Sequence, residues 1–404
     1  MSKLAAEAGF WAALSLVMVV TGEAALAGPS NLRLGPEPGT MVQRVAVFGK
    51  DERTAVPQQF STVRRAIGVL YNERAKTVCT AFCVGPKLIA TAAHCLYRTA
   101  GDKPPDANEF VFTPGYESSA GDRRREPVRI AGWQSRMAAQ NVLAGNTQIH
   151  VRPPIDAASD WALVRLATPA CRNGILAVRT KSIEEIARAA QAKRLFQLSY
   201  HRDYKNWQLA YSKPCQAGLQ FGGVPWSSIT RDFSSARSLI LHHCATGGAS
   251  SGSPLLVDEP GGPYVVGINV GTYVLSKASA SDNRTGTAPV QEQIANTGVN
   301  ASAFEPLMTP FAAAKILESS DTIRALQTRL RELGFYQGLI DGGFGPRLRA
   351  AIRQFEQSRG LPVLGLATEA VLARAQAEPA LTGPPSSYPN GIHQPTNADG
   401  DRPR

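Results

Sequence analysis

Three short segments hold the residue types needed to cleave an acyl bond with a serine. Thr91-Ala92-Ala93-His94-Cys95 follows the apolar run Leu88-Ile89-Ala90 and supplies an imidazole. Asp160 opens the apolar run Trp161-Ala162-Leu163-Val164 and supplies a carboxylate. Ser250-Ser251-Gly252-Ser253-Pro254 supplies a hydroxyl in a turn of small residues. Serine-based amide hydrolysis needs a base for the hydroxyl proton, a carboxylate to fix that base's tautomer, and backbone donors for the developing oxyanion. Each segment alone has an ordinary reading: a core histidine, a capping aspartate, a plain turn. Together, in the order His, Asp, Ser, they point to nucleophilic catalysis. Asp156 lacks the following apolar strand, and Ser250 and Ser253 lack the downstream glycine in register. The candidates are therefore His94, Asp160 and Ser251.

Such a site must be carried by rigid elements. Between Val63 and Tyr273 the chain has many short β-like runs separated by turn residues: Ala66–Tyr71, Lys87–Thr91, Phe110–Phe112, Trp161–Leu166, Leu239–His242, Leu255–Val257 and Tyr264–Val270. This spacing predicts an antiparallel sandwich or barrel rather than βαβ units. An insert over 101–152 carries the basic run Arg123-Arg124-Arg125, read as a solvated loop. Residues 276–297 are polar and read as a surface loop, and 28–57 as a mobile leader rich in Gly and Pro. His242-His243-Cys244 has no second ligand cluster, so it is read as a strand edge with two exposed imidazoles and not as a metal site. After Ser319 the period changes. Ile323, Leu326, Leu330 and Leu333 share a helical face that Gly334 ends; Leu348, Ile352 and Phe355 mark a second helix, and Thr368 to Ala375 a third.

The composition fits this division. With 404 residues, 43% hydrophobic and 19% charged, the chain has the apolar mass for two domains and is not disordered. The formal charge of +11 favours anionic surroundings. Lys3, the uncharged stretch Gly9 to Val20 and Ala25-Leu26-Ala27 form a signal-peptide pattern over 1–27, too short for a lasting membrane span. Six cysteines (Cys79, Cys83, Cys95, Cys171, Cys215, Cys244) suit an oxidising compartment and allow three bridges in fifteen connectivities. None forms C-x-x-C, which argues against a zinc or redox centre.

These motifs resemble those of the chymotrypsin-like serine proteases. T-A-A-H-C resembles the catalytic-histidine motif, Asp160-Trp161-Ala162-Leu163 the D-x-A-L strand, and Ser251-Gly252-Ser253-Pro254 the nucleophile motif of the bacterial glutamyl-endopeptidase-like branch. The resemblance spans about residues 60–318 and implies a double β barrel with the triad between the barrels. It also implies a Cys83–Cys95 histidine-loop bridge and a Cys215–Cys244 bridge, leaving Cys79 with Cys171. Ala249 replaces the usual oxyanion-hole glycine, so the hole is expected at the N–H groups of Ala249 and Ser251. Ser250 stands where trypsin-type zymogens keep an aspartate for a freed N-terminus. Arg65-Ala66-Ile67-Gly68 therefore does not read as an N-terminal-insertion site, although removal of a blocking leader stays open. Thr246, Asn269 and Gly271 are expected to line the substrate pocket. The neutral Asn269, where glutamate-specific relatives place histidine, favours a small or uncharged P1 residue.

Residues Ile323–Ala375 resemble a small three-helix peptidoglycan-binding domain, through Leu326-Gln327, Leu333-Gly334-Phe335-Tyr336, Ile340-Asp341-Gly342, Phe344-Gly345-Pro346 and Ala351-Ile352. Leu348 and Glu356 depart from the usual threonine and glutamine. The expected organisation is a signal peptide over 1–27, a leader or pro-segment over 28–62, a chymotrypsin-like mainly β double barrel over 63–318, a helical domain over 319–378 and a disordered tail over 379–404. The expected function is an exported serine endopeptidase, periplasmic or secreted and held near the cell wall. Its partners are a protein or peptide substrate and peptidoglycan, with no nucleic acid, no cofactor and no metal, in a monomer. The alternatives are a pseudoprotease adaptor, kept open by Ala249, and a hydrolase of peptidoglycan cross-links, which lacks the usual zinc or cysteine ligands.

Overall fold

Runs of buried residues four to nine long, separated by turns, cannot each satisfy their backbone alone, so they pair. In the computed structural model they do so antiparallel throughout. The structure describes residues 41–43, 47–97, 109–117, 127–134, 136–221, 223–277 and 290–379. The signal-peptide residues, Arg123–Arg125 and the tail beyond 379 lie outside them.

The first sheet contains β3 (Ile67–Asn72), β4 (Thr77–Gly85), β5 (Leu88–Thr91), β6 (Phe110–Pro114), β7 (Val128–Arg129), β8 (Val142–Ala144) and β9 (Ala162–Arg165), in the order β7-β6-β3-β4-β5-β9-β8. Ile130 bridges to Leu166, and Ala131 N–H and Ala167 N–H bond the carbonyls of Arg165 and Arg129 at 2.9 Å. These bonds return β7 to β9 and close a barrel. The second sheet runs β14-β17-β16-β15-β10-β11-β2, from β2 (Thr54–Ala55), β10 (Leu195–Ser199), β11 (Ala210–Ser212), β14 (Leu239–His242), β15 (Pro254–Val257), β16 (Tyr264–Lys277) and β17 (Val290–Asn300). The chain after β11 closes it: Ala217 bridges to His242, and His243 N–H bonds Gln216 O at 2.9 Å. Side chains from both sheets, among them Phe82, Ile89, Leu163, Phe196, Leu256 and Ile268, merge into one core. The expected double barrel is the observed fold.

The helical part follows the predicted face. Helices α5 (Ser320–Glu332), α6 (Pro346–Ser358) and α7 (Glu369–Gln376) enclose Ile323, Leu326, Leu330, Leu348, Ile352, Phe355 and Val371. Ser319 and Thr368 cap α5 and α7 by accepting from Thr322 N and Val371 N. Gly334 ends α5 at φ +80°. Gln327, buried inside, holds the Asp341-Gly342-Gly343 turn: its Nε2 donates to Asp341 Oδ1 (2.8 Å) and its Oε1 accepts from Gly342 N (2.9 Å).

The module packs on the barrels. Leu364 and Leu366 join the barrel core, Arg349 Nη2 donates to Ala139 O (3.1 Å), and Ala367 N donates to Gln140 Oε1 (3.1 Å). The connecting chain is pinned as well. Arg165 reaches from β9 to the carbonyls of Phe311 and Ala314, and Leu317 N–H bonds Ala367 O at 2.9 Å. Phe311 belongs to helix α4 (Glu305–Ala313), which carries no helical periodicity in sequence.

Three expectations are corrected. The bridges are Cys79–Cys95 and Cys83–Cys171, not Cys83–Cys95 and Cys79–Cys171; Cys215–Cys244 is as expected. The reason is strand register. Cys83 lies opposite Ile89 on β5, so the antiparallel chain beyond β5 runs back to the level of Cys79, and Cys95 arrives there. Cys83 instead meets the chain at 171–176, where Leu176 N–H bonds its carbonyl at 2.9 Å. Residues 276–297 are not all loop, since β16 and β17 pair up to Lys277 with Val290. The described part of the expected leader is built into the protein: β1 (Met41–Gln43) pairs with β16, β2 pairs with β11, and Phe60 is buried in the core.

Candidate active site

Each candidate is fixed by a different element. His94 sits in a single 3-10 turn, Ala93–Cys95, directly after β5, and Cys95 ties that turn to β4 through Cys79. Asp160 lies just before β9, which pairs with β5, so both approach from adjacent strands of the first barrel. The contact is double: Asp160 Oδ2 meets His94 Nδ1 at 2.6 Å, and Oδ1 accepts from His94 N at 2.9 Å. With Nδ1–H held by the carboxylate, Nε2 is left as the basic nitrogen. Asp160 is 3% exposed. Asp156, the rejected alternative, bonds His150 Nδ1 (2.6 Å) and Ser234 Oγ (2.8 Å) instead. The group Cys79, His94 and Cys95 has the spacing of a metal site, but both sulfurs are consumed in the disulfide.

Ser251 is delivered by the second barrel, in the turn before β15. Its carbonyl accepts from Thr80 N (2.9 Å) on β4, which sets the Ser251 turn against the strand bonded to the histidine turn. Gly252 at φ +83° makes this close approach possible. A Cβ there would lie 2.2 Å from both Thr80 O and Thr91 Oγ1. Ala249 also adopts a positive φ, +83°, a conformation that a glycine would take with less strain. Arg202 N donates to Gly248 O (2.7 Å), and Thr80 Oγ1 donates to Ala249 O (2.9 Å). Because the peptide is trans, the Ala249 N–H points away from Arg202. Among the described residues the N–H groups of Ala249 and Ser251 have no protein acceptor, as two oxyanion donors require. No hydrogen bond joins the Ser251 hydroxyl to His94 in this state, a contact that commonly tightens only with substrate.

Thr80 was not legible as a site residue. It is fully buried, gives its N–H to Ser251 and its hydroxyl to Ala249, and accepts from Tyr200 N (3.1 Å) and Thr91 Oγ1 (2.9 Å). In sequence it is one threonine in an apolar strand.

The expected pocket residues have unequal standing. Thr246 and Asn269 are both 2% exposed. The backbone of Asn269 brackets the Ser251 turn, and its Nδ2 donates to Ser250 O (3.2 Å), so its amide braces the turn. Gly271 lies on β16 beside a register shift after Asn269. The two histidines expected to be exposed are not. His242 is wholly buried, accepts from Cys244 N, and is pushed down to about 3, by burial first and by the neighbouring His243 second. His243 stacks on Phe48 with ring centroids 4.2 Å apart. Both faces of β14 are covered because the barrel closes over it.

Residues 79–268 match the family described as trypsin-like peptidase domain, and residues 319–374 match the putative peptidoglycan binding domain. The chain thus carries a trypsin-like peptidase domain followed by a peptidoglycan-binding domain. Two curated relatives, both called spore cortex-lytic enzyme and both from Bacillus cereus, are 43% identical over 60 residues, which is 14% of this chain and 23% of theirs. The chain therefore spans under a quarter of those relatives. A solved structure of a Glu endopeptidase in complex with MPD is 16% identical, with 66% of this chain and 100% of that one covered and a TM-score of 0.43.

Proposed function

We propose that the protein is an exported serine endopeptidase held at peptidoglycan by its helical domain. The observation that carries this reading is the doubly bonded His94–Asp160 pair, set by Thr80 against a Ser251 turn with two free N–H groups. In the proposed reaction, Ser251 Oγ attacks the scissile carbonyl while His94 Nε2 takes its proton. The N–H groups of Ser251 and Ala249 hold the oxyanion, and Asp160 stabilises the imidazolium. His94 then protonates the leaving amine as the C–N bond breaks. Water repeats the sequence on the acyl-enzyme, returning the hydroxyl to Ser251 and releasing the acid. Three disulfides support an oxidising compartment, and among the described residues no helix is long and apolar enough to cross a membrane. Asn269 is itself neutral and its amide is engaged by Ser250 O, which supports a small uncharged P1 preference over an acidic one.

A fluorophosphonate probe tests the chemistry: wild type should label and Ser251→Ala should not, with the fold unchanged. Labelling of Ser251→Ala at the wild-type level sinks the assignment. Wall retention is read from sedimentation of the full-length Ser251→Ala chain with insoluble peptidoglycan. It should persist in high salt and be competed by soluble wall fragments, whereas complete release by salt would leave only charge attraction.

A further inference from the structure

The segment before the first barrel is fastened at several points, and one of them lies under the nucleophile turn. Arg53 immediately precedes β2, and its side chain is only 3% exposed. Its Nη1 and Nη2 donate to Asp203 Oδ1 and Oδ2 (2.9 and 2.8 Å), and its Nε and Nη2 donate to Asp51 Oδ1 and Oδ2 (3.0 and 2.7 Å). This is a fork engaged by two carboxylates, a geometry a lysine cannot reproduce. The pair presses on Gly247. A Cβ there would fall 2.7 Å from Arg53 Nη1, 2.7 Å from Asp203 Oδ1 and 2.9 Å from His201 Nδ1.

The consequence passes along the chain. Asp203 adjoins Arg202, whose N–H holds the Gly248 carbonyl at 2.7 Å and so turns the Ala249 N–H the other way. Gly247 O accepts from Ser250 N at 3.0 Å, which sets the next peptide. His201 is buried beside the guanidinium, with Nε2 on Ser199 Oγ (2.7 Å). Burial and the Arg53 charge push it down to about 3, so it stays neutral and the cluster's charge does not change near neutral pH. Ser250 offers no carboxylate for a freed N-terminus. The Arg65-Ala66 bond is also poorly placed for cutting: Ala66 is fully buried, its N–H bonds Val63 O, and its carbonyl accepts from Cys83 N.

We propose that Arg53 is a positioning residue that orders the oxyanion loop through Asp203 and Gly248, in place of a freed N-terminus. The segment carrying it stays in the active protein, and activation requires no cut after Arg65. This rests on the protease reading above.

The test compares the full-length wild type, Arg53→Ala, Arg53→Lys and Asp203→Asn by kcat, KM and amide hydrogen exchange at residues 201–203 and 247–251. Arg53→Ala should lower kcat about 10- to 100-fold with KM little changed. It should speed exchange in those two segments and not around His94, and it should be partly rescued by added guanidinium. Arg53→Lys should fall between. If Arg53→Ala does not fold, Arg53→Lys and Asp203→Asn carry the same comparison. Unchanged kcat and exchange, or a fully active species whose N-terminus mass spectrometry places at Ala66, would overturn the proposal while leaving the protease reading intact. Faster exchange in the variants of a wild type that never labels would sink the protease reading and keep the brace.

Discussion

Ala249 concentrates the energetic question of the site. A left-handed backbone costs an L-residue about 1–2 kcal/mol, and this alanine holds φ +83° while Arg202, Thr80 and the Ser250–Gly247 bond fix its neighbours. The strain is therefore carried by a hydrogen-bonded turn, and it leaves the N–H free. Ala249→Gly relieves that strain but gives the unfolded chain more freedom, which offsets up to about 1 kcal/mol. The expected net effect is stability unchanged or raised by up to about 1 kcal/mol, with probe labelling retained. A thermal melt showing a larger loss would mean that the methyl group packs favourably. Asp160→Asn should lower kcat by about three to four orders of magnitude by spoiling the tautomer, with KM and melting temperature nearly constant. Loss confined to KM would assign Asp160 to binding instead.

At the scale of elements, α6 shows how a local departure sets a condition on the whole module. Glu356 is 2% exposed, and its Oε2 accepts from Gly365 N (2.7 Å). Burial dominates its titration and raises it to about 7, against the weaker opposing pull of the Gly365 and Leu364 N–H groups and of Arg353 and Arg349. Tyr97 of the barrel packs near those two arginines and is itself raised by burial. A carboxyl raised in the folded state contributes stability below its unfolded value near 4.5 and loses it as pH rises to about 7. Each pH unit in that window is worth at most about 1.4 kcal/mol. Hydrogen exchange of α6 should therefore quicken between about pH 5 and pH 7, and Glu356→Gln should flatten the dependence. An equally steep profile in the variant would move the titration elsewhere.

The elements legible in sequence were those whose own pattern decides them. The face of Ile323, Leu326 and Leu330 with Gly334 behind it gave α5, and the T-A-A-H-C, D-W-A-L and S-G-S-P segments gave the triad candidates. What was not legible depends on partners distant in sequence. The Cys79–Cys95 pairing follows from a register between β4 and β5, Thr80 acquires its role only when Ser251 arrives from the other barrel, and the leader's strands need β11 and β16 to exist. Helix α2 (Ile183–Gln191) carries a local signal of its own, the Ser182–Glu185 capping box.

For the molecule as a whole, most arginines of the helical module already have partners within the chain. Arg324, Arg329, Arg359 and Arg374 pair with Asp321, Glu332 and Glu378, and Arg349 is turned onto the barrel. The proposed wall binding would then draw on shape and hydrogen bonding as well as on net charge. The connection is equally committed: Lys315 O accepts from Glu369 N at 2.9 Å, and Leu317 N–H bonds Ala367 O. The bond after Lys315 should resist trypsin under conditions that cut exposed loops, and rapid cleavage there, read by mass spectrometry, would mean that the module detaches.

That pinned connection fixes the search volume of the proposed enzyme. A cutting site on a long flexible tether samples a sphere of substrate, at an effective concentration that falls as the tether lengthens. Here Arg165 and the 315–317 pairing remove the tether, so a wall-bound copy addresses only peptide bonds presented at one standoff from the glycan. Selectivity among envelope proteins would then be set by where a substrate's exposed segment sits, as much as by which residue occupies its P1 position.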